Sequence, residues 1–174
     1  NLLSEVAKEK FFTNIYKAEI LRPLDIDPIM DNSVSELSGG ELQRVAIAVC
    51  LSQDADLYLF DEPSAYLDIE QRLNFSKVLR RFIGDKELMA MIVEHDLVSL
   101  DYTSDRAVVF SGKPSVLGVA SQPLSLRDGM NRFLKEIGIT FRREPESGRP
   151  RSNKIDSQKD REQKSSGEYY YFKA

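Results

Sequence analysis

The segment Leu57-Tyr58-Leu59-Phe60-Asp61-Glu62-Pro63 constrains the fold more than any other stretch of the chain. Four apolar residues in succession, without alternation, suit a strand covered on both faces, the environment found inside a parallel sheet. Two carboxylates directly after it then stand at the carboxyl end of the strand, where open α/β sheets bind their ligands. The flanking pattern agrees. Residues 69–82 carry Leu73, Val78, Leu79 and Phe82 at helical spacing, 88–93 read as a second buried strand, 96–103 as a helix and 106–110 as a third strand. Strand, helix, strand, helix, strand is the rhythm of an α/β fold on a parallel sheet. A turn at Ser111-Gly112 leads toward a strand at 116–120. A helix over 125–137 follows, with Leu126, Met130, Phe133, Leu134 and Ile137 on its apolar side.

The ends have a different texture. Val6, Phe11, Ile15, Ala18 and Leu21 recur near a helical period, Pro23 interrupts, and an apolar helix is expected over 42–51. Residues 142–164 are charged, poor in large apolar side chains and broken by Pro145, Gly148 and Pro150, which reads as an extended arm. It ends in Tyr169-Tyr170-Tyr171-Phe172, whose apolar payload argues for docking of the end itself. For 152–168, a docked arm and a solvated tail fit the composition equally well. From Arg142 onward nine Lys/Arg face six Asp/Glu, so the arm carries +3 while the rest carries −7 of the chain's net −4. That balance argues against a general nucleic-acid binder, although a basic arm can still touch phosphates. No apolar run approaches the ~20 residues that span a bilayer. The single cysteine, Cys50, lies in an apolar run and reads as a small core residue, with a reducing cytoplasm as the expected setting.

Three places carry candidate chemistry. In Leu37-Ser38-Gly39-Gly40-Glu41-Leu42-Gln43-Arg44, a serine and two glycines open a helix, whose free amides and dipole favour an anion. Ser38 also suits a plain N-cap. Asp61 and Glu62 can divide labour, one holding a metal ion and the other orienting a water, though acids before a helix are also common for the dipole alone. His95, the one histidine, follows the second strand and is expected at the same crevice; Asp68 reads on its own as a helix cap.

The octapeptide 37–44 resembles the ABC ATPase signature motif without a departure. The resemblance implies that Ser38, Gly39, Gly40 and Glu41 close on ATP held by an opposite cassette. It implies that Asp61 is the Walker B aspartate, holding magnesium through water, that Glu62 is the general base, and that His95 is the switch histidine contacting the γ-phosphate. Ser64-Ala65-Tyr66-Leu67-Asp68 resembles the D-loop, which couples two cassettes across their interface. Within that family the chain is similar to the second nucleotide-binding domain of the RNase L inhibitor family, twin-cassette ATPases that split ribosomes. The similarity runs from about Phe11 to Phe172. It rests on Asp61-Glu62-Pro63-Ser64-Ala65-Tyr66-Leu67-Asp68, on Glu70-Gln71-Arg72-Leu73, and on a tail with Ile139-Thr140-Phe141-Arg142-Arg143-Glu144-Pro145, Arg149-Pro150-Arg151-Ser152-Asn153-Lys154 and 162–171.

What this implies is an α/β, P-loop NTPase-like parallel sheet lacking its N-terminal P-loop portion. Residues 1–45 would be part of the helical subdomain, 46–140 the C-terminal part of the ATPase core, and 141–174 a hinge arm. The implied cofactors are ATP and Mg2+, with iron–sulfur clusters only in an N-terminal domain outside this sequence. The implied partners are the first cassette of the same polypeptide, the ribosomal small subunit, release or recycling factors and, through the basic arm, ribosomal RNA; no membrane is expected. No G-x-x-x-x-G-K-[ST] loop occurs, and Gly112-Lys113 is followed by Pro114. An N-terminally truncated cassette would show this, with an unpaired apolar sheet edge and no ATP turnover by the chain alone. A transporter cassette lacks such a tail. The C-terminal lobe of a DNA-repair or chromosome-maintenance ATPase follows a long coiled coil, and 1–36 has no sustained heptad. Glu62 and His95 weigh against a non-hydrolysing module.

Overall fold

The computed structural model describes residues 7, 9–144 and 150–171. Val6, Pro145, Gly148 and Phe172 lie outside the described residues. Two compact units are present, Asn1–Thr103 and Ser104–Ala174.

The first unit is built around helix α1 (Gly39–Ser52), strand β1 (Leu57–Asp61), helix α2 (Ile69–Asp85), strand β2 (Met89–Val93) and helix α3 (Leu97–Thr103). β1 and β2 run parallel in the register Leu57↔Met89 to Asp61↔Val93, with α2 as the crossover. Phe75, Val78, Leu79 and Phe82 of α2 are buried and share one core with Tyr58 and Phe60 of β1 and Ile47, Ala48 and Leu51 of α1. Two edge-to-face ring pairs, Phe60–Phe75 and Tyr58–Phe82, fix this contact. The strands differ from their expectation on one face. Leu57, Leu59, Met89, Met91 and Val93 are exposed, because no further element covers that side of the two-stranded sheet among the described residues. The apolar run was legible as double-faced; only one face is filled here.

The segment before α1 is not the single helix that its spacing suggested. Residues 9–21 form a 3-10 turn (Glu9–Phe12), one short α-turn (Asn14–Tyr16) and a π-turn (Lys17–Leu21). The chain bends at Thr13 between the 3-10 turn and the α-turn and widens again in the π-turn; Phe11, Tyr16, Ile20 and Leu21 are buried while Ile15 is 72% exposed. Tyr16 donates its hydroxyl to the Ala48 carbonyl at 2.5 Å, tying this segment to α1, and burial raises its phenol far above its ordinary value.

In the second unit the strand expected over 106–110 is split. Arg106–Ala107 (β3) pairs antiparallel with Leu124–Ser125 (β6), whereas Phe110–Lys113 (β4) forms a hairpin with Leu117–Ala120 (β5). Gly112 lies inside β4, with φ 138 where a Cβ would meet the Leu117 carbonyl oxygen at 2.0 Å, and the turn is at 114–116. Helix α4 (Leu126–Ile137), capped by Ser125, buries Met130 and Leu134 and ends on left-handed Gly138.

The arm is a folded piece, which corrects the reading of 142–164 as extended. Phe141–Arg143 (β7) lies between Pro150–Ser152 (β8), antiparallel, and Tyr170–Tyr171 (β9), parallel, and helix α5 (Gln158–Ser166) crosses between β8 and β9. Its order comes from buried polar groups rather than apolar periodicity. Asp160, 1% exposed, accepts from the Thr140 hydroxyl at 2.6 Å, the Lys164 ammonium at 2.9 Å and the Asp156 amide at 3.0 Å; Asn153 donates to Thr140 at 2.9 Å. Tyr170 is fully buried, and its amide donates to Asn131 of α4 at 2.9 Å.

The Thr140 hydrogen bond, followed by that from Lys164, holds the Asp160 carboxyl at about 2, below the ordinary carboxylate range. Its contribution to stability is therefore complete above the unfolded carboxylate pKa of about 4 and is lost as pH falls through about 2. Asp160→Asn is expected to lower the thermal midpoint near pH 6 and to flatten its fall between about pH 4 and pH 2. An unchanged acid limb, followed by circular dichroism, would assign that loss to other groups.

Candidate active site

The candidate residues all lie in the first unit, at or beside the ends of its regular elements. β1 ends on Asp61, which is exposed, and the chain turns at once through Glu62 in the left-handed region at φ 46. A β-branched-free, non-glycine residue there costs about 1–3 kcal/mol and persists only where neighbours hold it. The Glu62 amide is held by the Val93 carbonyl at 2.8 Å, an extension of the β1–β2 pairing by one residue. That turn directs the carboxylate toward the end of β2, where His95 Nε2 lies 3.1 Å from Glu62 Oε1. Both side chains are open to solvent, at 80% for His95 and 52% for Glu62. Two residues 33 positions apart in sequence thus meet because parallel pairing brings both strand ends to one edge.

Asp61, an exposed carboxylate at the strand end, fits the magnesium role that the resemblance implies. Among the described residues no cluster of three or more His, Cys, Asp or Glu forms a protein-only metal cage. Magnesium needs none: it keeps several waters and takes one or two carboxylates together with phosphate oxygens, which an exposed strand-end aspartate allows.

The signature segment opens α1 through a capping box. The Glu41 amide donates to the Ser38 hydroxyl oxygen at 3.4 Å, and Glu41 Oε2 accepts from the Ser38 amide at 2.8 Å and its hydroxyl at 2.7 Å. The Ser38 hydrogen bonds hold the Glu41 carboxyl below its ordinary range. Ser38 is therefore a cap and an exposed hydroxyl at once. Gly39 and Gly40 lie against the loop after β1: a Cβ on Gly40 would stand 3.0 Å from the Tyr66 carbonyl oxygen, and one on Gly39 would touch the Tyr66 ring at 3.5 Å. At Gly40 the Tyr66 backbone would have to give way by a few tenths of an ångström, whereas at Gly39 the contact would be an ordinary one. Gln43 Nε2 donates to the Pro63 carbonyl at 3.1 Å, so the signature helix and the 62–68 loop are joined at two levels. Asp68 caps α2, accepting from the Gln71 amide at 2.8 Å.

Sequence reasoning did not assign roles to several residues that hold these loops. Arg44, 5% exposed, donates to the Leu24 and Asp25 carbonyls at 2.7 and 2.5 Å and pairs with Asp25, which sits at φ 52. Tyr66 adopts φ 63 with its side chain 79% exposed. Arg72 and Glu94 bond across the 62–68 and 94–96 loops. Their positions beside the motifs were visible, but nothing in their spacing tells that they face backbone groups.

A parallel strand pair ending in Asp61-Glu62, a histidine on the neighbouring strand end and a glycine-opened helix against the intervening loop define part of an ABC-type ATPase cassette. The family model described as ABC transporter matches residues 7–65. The chain belongs to the RNase L inhibitor family of ABC ATPases. It is 58% identical, over 98% of its length, to an ABC transporter ATP-binding protein of Methanocaldococcus jannaschii, covering 28% of that protein. It is 54% identical to translation initiation factor RLI1 of Saccharomyces cerevisiae over 93% of the chain and 27% of the relative. Among solved structures, the model of ribosome-bound archaeal Pelota and ABCE1 superimposes with a TM-score of 0.91 at 57% identity, over 98% of this chain and 29% of the matched one. The chain thus spans under a third of the length of these relatives. Among the described residues no helix is long and apolar enough to cross a membrane.

Proposed function

We propose that this chain is the C-terminal part of the second cassette of a twin-cassette ATPase that couples ATP binding and hydrolysis to separation of ribosomal subunits in the cytoplasm. The observation that carries the hydrolytic part is the 3.1 Å approach of His95 to Glu62 at the shared end of two parallel strands. Glu62 orients the attacking water and accepts its proton, and His95 fixes the carboxylate while facing the γ-phosphate. Asp61 would hold magnesium through water, and the bound ion would supply positive charge to the ATP phosphates. The P-loop of this site comes from residues outside this sequence.

Ser38, Gly39, Gly40 and Glu41 serve the other site. The opening of α1 offers amides and a hydroxyl to the phosphates of ATP held by the opposite cassette, and Asp68 lies in the loop between the two sites. One segment thus contributes to two nucleotides. Residues 1–45, 46–140 and 141–174 divide the work into closing lobe, hydrolytic core and hinge. The relatives named for ribosome recycling and translation initiation support the ribosomal assignment, with the small subunit, recycling or release factors and the first cassette as partners. The +3 tail supplies positive charge for a ribosomal RNA contact. Iron–sulfur clusters belong to a domain outside this sequence.

Ser38→Arg in the full-length protein tests the two-site assignment. It removes the cap, at about 0.5–2 kcal/mol, and puts a long cation where the opposite nucleotide's phosphates approach. Turnover at the opposite site should fall about tenfold or more, and ATP-driven subunit separation with it, while single-turnover hydrolysis at the Glu62 site persists. Selective loss at the Glu62 site would contradict the assignment. Co-fractionation of the wild-type protein with membranes rather than ribosomal subunits would point to a transporter cassette instead.

A further inference from the structure

We infer that Glu94 is a positioning residue for hydrolysis: its carboxylate locks the histidine loop to the loop after β1 and thereby sets His95 on Glu62. The inference rests on the hydrolytic reading of Glu62 and His95 above.

Glu94 occupies the step between β2 and His95 and is half-buried. Its Oε1 accepts the amides of His95 at 3.0 Å and Asp96 at 3.2 Å, within its own loop. Its Oε2 accepts the amide of Ser64 at 3.4 Å, in the other loop. Ser64 is buried at 2% exposure. A carboxylate receiving three backbone donors is acting as an internal anchor, since each bond carries a charge-assisted share that a neutral acceptor lacks. A second clasp lies beside it. Arg72 of α2 donates Nε to the Leu67 carbonyl at 2.9 Å and pairs with Asp96, whose Oδ1 caps α3 through the Val98 amide at 2.8 Å. The loop 62–68 is therefore bound to 94–96 at Ser64 through Glu94 and at Leu67 through Arg72.

The geometry shows why this matters to the chemistry. Glu62 and His95 are both exposed, so no packing around their side chains sets the 3.1 Å approach. Their relative position is decided by backbone, which the Glu62 amide on the Val93 carbonyl, the Arg72 clasp and the Glu94 carboxylate fix; of these, Glu94 is the one that also holds the His95 amide. The same loop touches Gly40 at Tyr66 and Gln43 at Pro63. A shift of the signature helix is thereby felt at His95 through Glu94.

Glu94→Gln keeps the shape but leaves one oxygen. Either the Ser64 amide or the His95 and Asp96 amides must then face a donor. In the full-length protein we expect single-turnover hydrolysis at this site to fall by about 10–100-fold, with ATP affinity within about twofold of wild type. Glu94→Asp retains a carboxylate and should recover part of the rate. In a His95→Ala background Glu94→Gln should cost little more, because its route to the reaction has been removed. Unchanged hydrolysis in Glu94→Gln overturns the inference, as does a full multiplicative loss on top of His95→Ala. Equal losses in the Gln and Asp variants accompanied by lost ATP binding would mark Glu94 as a structural cap and overturn it too. Glu62→Gln, measured alongside, separates the two levels. If it abolishes turnover and Glu94→Gln does not, only the positioning role fails; if it leaves turnover intact, the hydrolytic assignment fails and takes this inference with it.

Discussion

Glu62→Gln in the full-length protein is expected to lower hydrolysis at this site by about 10²–10⁴-fold, the range a positioned general base supplies, while ATP-dependent closure of the cassettes persists. The amide matches the carboxylate in size and keeps an oxygen 3.1 Å from His95, so the loop has no reason to move. It has no usable basicity, so a proton cannot leave the attacking water toward it. The left-handed backbone at residue 62 is indifferent to this change, since both side chains branch at the same distance from the backbone. Closure depends on phosphate contacts that the substitution does not touch. Quench-flow at a single site, with a distance reporter for closure, distinguishes the two effects. Turnover at the wild-type rate would remove Glu62 from the base role, and loss of closure together with turnover would make it a binding residue.

What could be read from sequence divides along a physical line. β1 and β2 were legible as short apolar runs and α2 from its apolar period, and the boundaries follow from caps that are equally local, Asp68 for α2 and Ser125 for α4. The meeting of Glu62 with His95 was legible as well, since parallel strands must end on one edge. Three things were not. Ile15 faces solvent because the chain bends at Thr13 between a 3-10 turn and an α-turn, and no residue type signals that break strongly. Val108 and Val109 have the composition of a strand interior, yet the chain leaves one pairing at Ala107 and enters another at Phe110, a choice made by Leu124 and Ala120 rather than locally. The arm folds around Thr140, Asn153 and Asp160, polar residues that a search for apolar periodicity counts as exposed. At the site, Ser38 and Asp68 were open to two readings, and their capping bonds are compatible with both. Glu94 escaped because its partners are backbone amides, which every residue has, and Arg72 because one partner is a carbonyl and the other, Asp96, stands 24 positions away.

Phe75→Ala is expected to have the largest effect on stability, about 3–5 kcal/mol. The ring is 1% exposed and meets Phe60 edge-on, with centroids 6.0 Å apart at 69°. Phe60 immediately precedes Asp61, so this contact holds the end of β1 on which Asp61 and Glu62 stand. The opposite face of that strand offers no compensation: Leu59 is 65% exposed. Removing the ring opens a cavity in the core that α1, α2 and β1 share. At about 1.4 kcal/mol per decade, amides of β1 and β2 should exchange with solvent about 10²–10⁴-fold faster where their opening follows unfolding of this core. Hydrolysis at the Glu62 site should fall as well, because the Glu62 amide is tied to Val93 by the pairing that Phe60 supports. Exchange at β1 within a factor of about five of wild type, about 1 kcal/mol, would show that the β1–β2 ladder holds the strand end without the ring pair. The site would then owe its placement to that ladder together with the Glu94 and Arg72 clasps.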